Sequence, residues 1–247
     1  MPEPRRLRNP PITEAIIDIR VELAAGSEAA RLREAESLLR DGYVLDGEQH
    51  RVVGTLGVSD DPAWTFEQGE SALSGYTFRS HDERFVAQLN VEGIVVSRLQ
   101  SYTSWEELAE ETARLWSAYV GLVSPVRILR LGTRYLNTIG APASYLDLRE
   151  YFTTLPSVPA GIPTVAADLL VRMVLHEEEP PYSVIVTQFL EQGENEAVRV
   201  ILDIDAFSRE TYEMDEGAMW AVLTGLRDLK NRVFFGSITE KTLGLFE

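Results

Sequence analysis

Two arginines flank a glycine near the middle of the chain, in Arg130-Leu131-Gly132-Thr133-Arg134. They sit in a run of aliphatic and β-branched residues from Val126 to Ile139 that follows Ser124-Pro125. Such a run reads as a strand, with Ile128, Arg130, Gly132, Arg134 and Leu136 on one face and Leu129, Leu131, Thr133, Tyr135 and Asn137 on the other. Two planar guanidinium forks beside a residue without a side chain make a bidentate site for a carboxylate or phosphate. The competing reading is internal pairing. An N-terminal strand laid alongside would offer Glu14, Asp18 and Glu22, and half-buried charges are normally paired. The sequence favours pairing.

Asp203 and Asp205, in Leu202-Asp203-Ile204-Asp205, are the second candidate pair. On a strand they point to the same side and offer oxygen ligands to a divalent cation, as a metal-dependent hydrolase or nuclease needs. An Asp-x-Asp strand more often solvates its own face, and no third oxygen ligand is evident. The three histidines, His50, His81 and His176, are far apart, and there is no cysteine. Thiol chemistry, disulfides and the usual zinc spacings are therefore excluded. No Gly-x-Ser-x-Gly elbow, phosphate-binding loop or dinucleotide fingerprint occurs, and no cofactor is expected.

The elements that must position these residues come next. The 247 residues, 45% of them hydrophobic, suffice for one large core, so a single domain spanning 1–247 is expected. A net charge of −16 argues against general nucleic-acid binding and suits solubility or a basic partner. No apolar run is long enough for a membrane span, and no signal-peptide pattern opens the chain, so a cytoplasmic location is expected.

Along the chain, Ile12 to Leu23 alternates apolar and charged residues as a half-buried strand does, with Pro10-Pro11 suggesting a sheet edge. Ser27 then reads as the cap of a helix to about Arg40. Residues 50–58, 76–79, 85–89 and 94–99 read as an antiparallel meander. Ser104-Trp105-Glu106-Glu107 is a capping box opening a helix with Leu108, Thr112, Leu115, Trp116 and Tyr119 on one side. After the central strand, four prolines mark a linker over 140–164 with a short helical piece near 145–152. Strands follow at 169–176, 183–190 and 197–204, then a helix over 215–230. Val233-Phe234-Phe235 reads as a short strand and 237–245 as a last helix.

A shift of 104 residues superimposes Phe85 on Phe189, Ser104 on Ser208, Trp116 on Trp220, Gly121 on Gly225, Leu122 on Leu226 and Gly132 on Gly236. It suggests an internal duplication of halves 9–139 and 165–247. The expected fold is thus α+β and pseudo-twofold, with antiparallel sheets wrapped around the long amphipathic helices.

Four segments carry a resemblance: Pro11-Ile12-Thr13-Glu14-Ala15-Ile16-Ile17-Asp18-Ile19-Arg20, Arg130-Leu131-Gly132-Thr133-Arg134-Tyr135-Leu136-Asn137, Leu202-Asp203-Ile204-Asp205, and Asn231 to Thr239. Together they resemble a sporadically distributed family of bacterial proteins of about this length with no assigned activity. Its scattered occurrence implies an association with defence or toxin–antitoxin loci, and it supplies no catalytic residues. The resulting expectation is a non-enzymatic binding or regulatory protein with a protein partner, its oligomeric state open and a homodimer among the options. The alternatives are a small-molecule sensor with a pocket between sheet and helix, and a metal-dependent hydrolase or nuclease using Asp203 and Asp205.

Overall fold

A computed structural model describes residues 7–58, 64–100, 102–141, 148–156, 159, 161, 168–192 and 198–247. Nine strands form one antiparallel sheet: β1 (Ile12–Glu22), β2 (Tyr43–Val58), β3 (Trp64–Ser80), β4 (Phe85–Asn90), β5 (Gly93–Arg98), β6 (Arg127–Ala141), β7 (Leu170–His176), β8 (Ser183–Gln192) and β9 (Val198–Ser208). Their order is β2-β3-β4-β5-β1-β6-β9-β8-β7. A 3-10 turn, Ala29–Glu34, leads into the short helix α1 (Ala35–Leu39), and the long helices are α2 (Trp105–Val123) and α3 (Glu216–Ser237). A last turn, α4, covers Glu240–Leu243. Among the described residues no helix is long and apolar enough to cross a membrane.

The period of two explains the core. Ala15, Ile17 and Ile19 of β1, Ile94 and Val96 of β5, Leu131, Thr133 and Tyr135 of β6, and Leu202, Ile204 and Ala206 of β9 are all buried on one face. The long helices pack there through Leu108, Leu115, Trp116 and Tyr119 of α2 and Met219, Leu223 and Leu226 of α3. The other face of the central strands carries Asp18, Arg130, Arg134, Asp203 and Asp205.

This arrangement corrects the expected fold. There is one large sheet with helices laid on it, not sheets wrapped around helices. The duplication at an offset of 104 fails with it. Gly132 lies in a strand and Gly236 in a helix; Ser104 caps α2, whereas Ser208 ends β9. Trp116 is buried and stacked on Tyr119, while Trp220 is only partly covered. Apolar positions recurring at helix and strand periods align by chance at such a shift.

Local corrections follow the same physics. β1 is central, paired with β5 and β6, because its two prolines precede Ile12 and remove no donor from the ladder. Ser27 bonds back to Ala24, and the segment it precedes is 3-10 before it is helical. Val233-Phe234-Phe235 continues α3, since Leu226, Lys230, Phe234 and Ser237 keep one buried stripe. A short apolar run cannot be assigned to strand or helix by periodicity alone. The final helix shrinks to Glu240–Leu243, capped by Thr239. Residues 145–147 of the helical piece near 145–152 lie outside the described residues; its end, Leu148 to Phe152, packs as a turn with Leu148 and Phe152 buried.

Candidate functional site

The pairs singled out in the sequence meet on the open face of the sheet. Asp18 of β1 stands opposite Gly132 of β6, and Gly132 stands opposite Phe207 of β9. Because Gly132 has no side chain, the Arg130 guanidinium folds over it; a Cβ there would lie 2.6 Å from the nearest guanidinium nitrogen. Arg130 donates to Asp18 and, at 3.1 Å each, to both carboxylate oxygens of Asp205, and stacks 4.9 Å from the centre of the Phe207 ring. Arg134 turns to Asp203, with donor distances of 2.9 and 2.6 Å. Burial raises the Asp205 carboxyl above its usual range, while Arg130 and Arg134 pull it back. The hydrogen bonds that it donates to Asp203 hold the Arg134 guanidinium more firmly protonated.

Both arginines are therefore engaged by acids of the chain, and both aspartates by arginines. Of the three acids expected from the N-terminal strand, Asp18 bonds Arg130 and is itself held by Arg20 at 2.9 Å, while Glu14 acts on Arg134 through its charge. Glu22 pairs with Arg127, and the acid facing Arg134 comes from β9. No group of three metal-ligating side chains occurs among the described residues. A bulge between Arg20 and Val21 in the β1–β6 register shifts the start of β6, so Ile128 is buried and Leu129 exposed, the reverse of simple alternation.

On the helical side lies a site that the motifs did not indicate. A pocket of about 150 Å³ opens where the start of α2, the C-terminal half of α3, β6 and the segment before β1 converge. Leu7, Pro10, Pro11, Ile12 and Phe234 give it apolar walls. Arg227 and Lys230 enter from α3, three residues apart and so on one helical face. Asn137 enters from β6, its amide held at 2.9 Å by the Leu202 carbonyl. The Lys230 Nζ sits 3.5 Å from the centre of the buried Tyr135 ring, and the Tyr135 hydroxyl lies 3.4 Å from that of Tyr102. Arg227 stacks 5.8 Å from Trp105, the first residue of α2.

Electrostatics in this pocket favour an anion. Lys230 is 7% exposed and has no carboxylate partner among the described residues. Burial, helped by the Arg227 charge, lowers its pKa from 10.5 to about 7. Burial likewise raises both Tyr102 and Tyr135, which stay protonated. The N-terminal turn of α2 lines the pocket and adds the positive end of a 19-residue helix. Ser104 caps that helix by accepting from the Glu107 amide at 3.1 Å. The Glu107 carboxylate does not close the box; it turns to Arg84 and Arg98. Glu106 is the one acidic side chain in the pocket wall.

One signal in the sequence pointed here. In α3 the residues at 219, 223, 226, 230 and 234 share a stripe, and the only charged one is Lys230. A lone lysine on a buried stripe is costly, which makes it informative. Comparison of the chain with protein-family models and with curated proteins finds no match.

Proposed function

We propose that the protein is a non-enzymatic binding protein whose pocket between sheet and helices takes a small anionic ligand, in keeping with a sensor or regulatory role. The observation that carries this reading is the Lys230 amine, buried in the pocket wall beside Arg227 and, among the described residues, lacking an acid of its own. A ligand carboxylate would accept a charge-assisted hydrogen bond from Arg227 and a further hydrogen bond from the Lys230 amine. A cavity of this volume holds a molecule about the size of benzene, so the ligand is small and partly apolar. Binding of lactate, acetate and phosphate, followed by thermal shift and by NMR, tests the reading. Lactate should raise the melting temperature of the wild type, and Arg227→Met should weaken it about tenfold, the loss of one charged hydrogen bond. Millimolar anions without any effect on wild type would sink it.

A second reading, a protein partner, draws on strand β7. It ends the sheet order and exposes Leu170 at 68%, together with Val174 and Leu175. Open apolar edges accept an added strand. The partner class suggested by the sequence resemblance is a neighbouring defence or toxin–antitoxin component. Co-purification with the product of the adjacent gene, abolished by Val174→Lys, supports this reading; indifference to that substitution removes it.

A further inference from the structure

We propose that Lys230 captures a small 2-oxo acid covalently, as a reversible imine in this pocket; the inference rests on the reading of the pocket as an anion site and names its ligand class. The geometry supplies each part that such a capture needs. A nucleophilic amine must be neutral, and Lys230 lies buried against the Tyr135 ring with no acid among the described residues to hold its proton. A carboxylate on the ligand needs a cation beside the amine but not on it, and Arg227 stands one helical turn away. The product iminium needs a place for its charge, and the aromatic face 3.5 Å from Nζ accepts a cation.

The groups facing Lys230 from the elements packed around it agree with this chemistry. Arg227, on the same helix, repels its proton. Tyr135 from β6 and Tyr102 before α2 present neutral hydroxyls, and Glu106 at the start of α2 is the single acid on the rim. The resulting pKa of about 7 leaves a large neutral fraction at neutral pH. The step balances without a redox partner. The amine lone pair attacks the 2-oxo carbon, a nitrogen proton passes to the alkoxide, and the carbinolamine loses its hydroxyl as water to leave the imine. Hydrolysis reverses it.

Composition makes the test clean. Lys230 and Lys241 are the only lysines of the chain, and Lys241 is exposed, paired with Glu150 and held more firmly protonated by that bond. Full-length protein is incubated with pyruvate and cyanoborohydride, and adducts are mapped by peptide mass. The expected result is one reduced adduct per chain on Lys230, formed about tenfold or more faster than on Lys241, because an ordinary lysine is almost wholly protonated at neutral pH. Its rate should rise as pH passes through about 7, where Lys230 loses its proton. Lactate, which has no carbonyl carbon to attack, should slow it by competition. Lys230→Arg, which has no amine to form an imine, should abolish the adduct. Adducts confined to Lys241 or the N-terminal amine, or none at all, overturn the proposal. If lactate still binds in that case, the anion pocket stands without the covalent step; if neither lactate nor pyruvate binds, both readings fall.

Discussion

The guanidinium of Arg130 occupies the space that any side chain at Gly132 would need, with 2.6 Å between its nearest nitrogen and a Cβ placed there. Arginine is flexible, so Gly132→Ala would displace it without a hard clash. The cost lies in the bonds to Asp18 and Asp205 that the displacement breaks. Gly132→Ala should destabilise the protein by about 1–3 kcal/mol in chemical denaturation. In an Arg130→Met background the same change should cost much less, because its target is gone. Full additivity would show that the glycine acts through the backbone instead.

The two arginines should differ. The Arg130 side chain is 20% exposed and lies between two aspartates, whereas Arg134 is 46% exposed with one. Arg130→Met leaves the partly buried Asp205 without its hydrogen-bonded partner and Asp18 with Arg20 alone, and should cost on the order of 3 kcal/mol. Arg134→Met should cost less, about 1–2 kcal/mol, because one carboxylate is stranded instead of two contacts being lost and the arginine itself is half exposed. Equal losses at both positions would contradict this ranking.

Lys230 should leave a mark on stability as a function of pH. Its folded pKa, about 7, is below the ordinary 10.5, so between these values the unfolded chain binds the extra proton. Stability contributed at this position therefore rises with pH across that window and is flat below it. The difference between wild type and Lys230→Met should shift in favour of wild type from pH 7 to pH 10, by a few kcal/mol on the order of the shift itself. A difference independent of pH would mean that the amine keeps its proton when buried.

The tryptophans of the long helices give the fourth comparison. Trp116 is 1% exposed and stacked on Tyr119, so Trp116→Ala should cost about 3–5 kcal/mol. Trp220 is only partly covered, and Trp220→Ala should cost about 1 kcal/mol, near the average for any substitution. Similar costs would show that Trp220 carries as much buried packing as Trp116.

Much of this fold was legible where side chains alternate against a single wet face. Ile12 to Glu22 and Phe85 to Asn90 have that form, and Ser104 caps its helix as its neighbours suggest. What periodicity did not convey was which strands are neighbours. Pro10 and Pro11 suggested an edge, yet the strand they precede is the fifth of nine, because ladder donors are lost only where proline stands within the pairing. The charged cluster is half visible: Asp18 can be placed beside Arg130, but the β9 acids read as a solvated face or as metal ligands and not as arginine partners, since those partners lie in a distant strand. The pocket was hidden because Tyr135 and Asn137 look like core residues in sequence, and Lys230 looks like an ordinary surface lysine until its stripe is traced.

The central position of β1 also bears on the order in which the molecule can assemble. Strands β2 to β5 and β7 to β9 join sequence neighbours and can form as local hairpins, but the seam between β1 and β6 joins Asp18 to Arg130 across 112 residues. Closing so long a loop is paid in chain entropy before the contact rewards it, and sheets dominated by distant pairings fold in roughly milliseconds to seconds. During synthesis β1 emerges first and must wait for both of its neighbours. Its Ile17 and Ile19 are wholly covered only in the finished sheet, so nascent chains ending before Ala141 carry an unprotected apolar strand at their start.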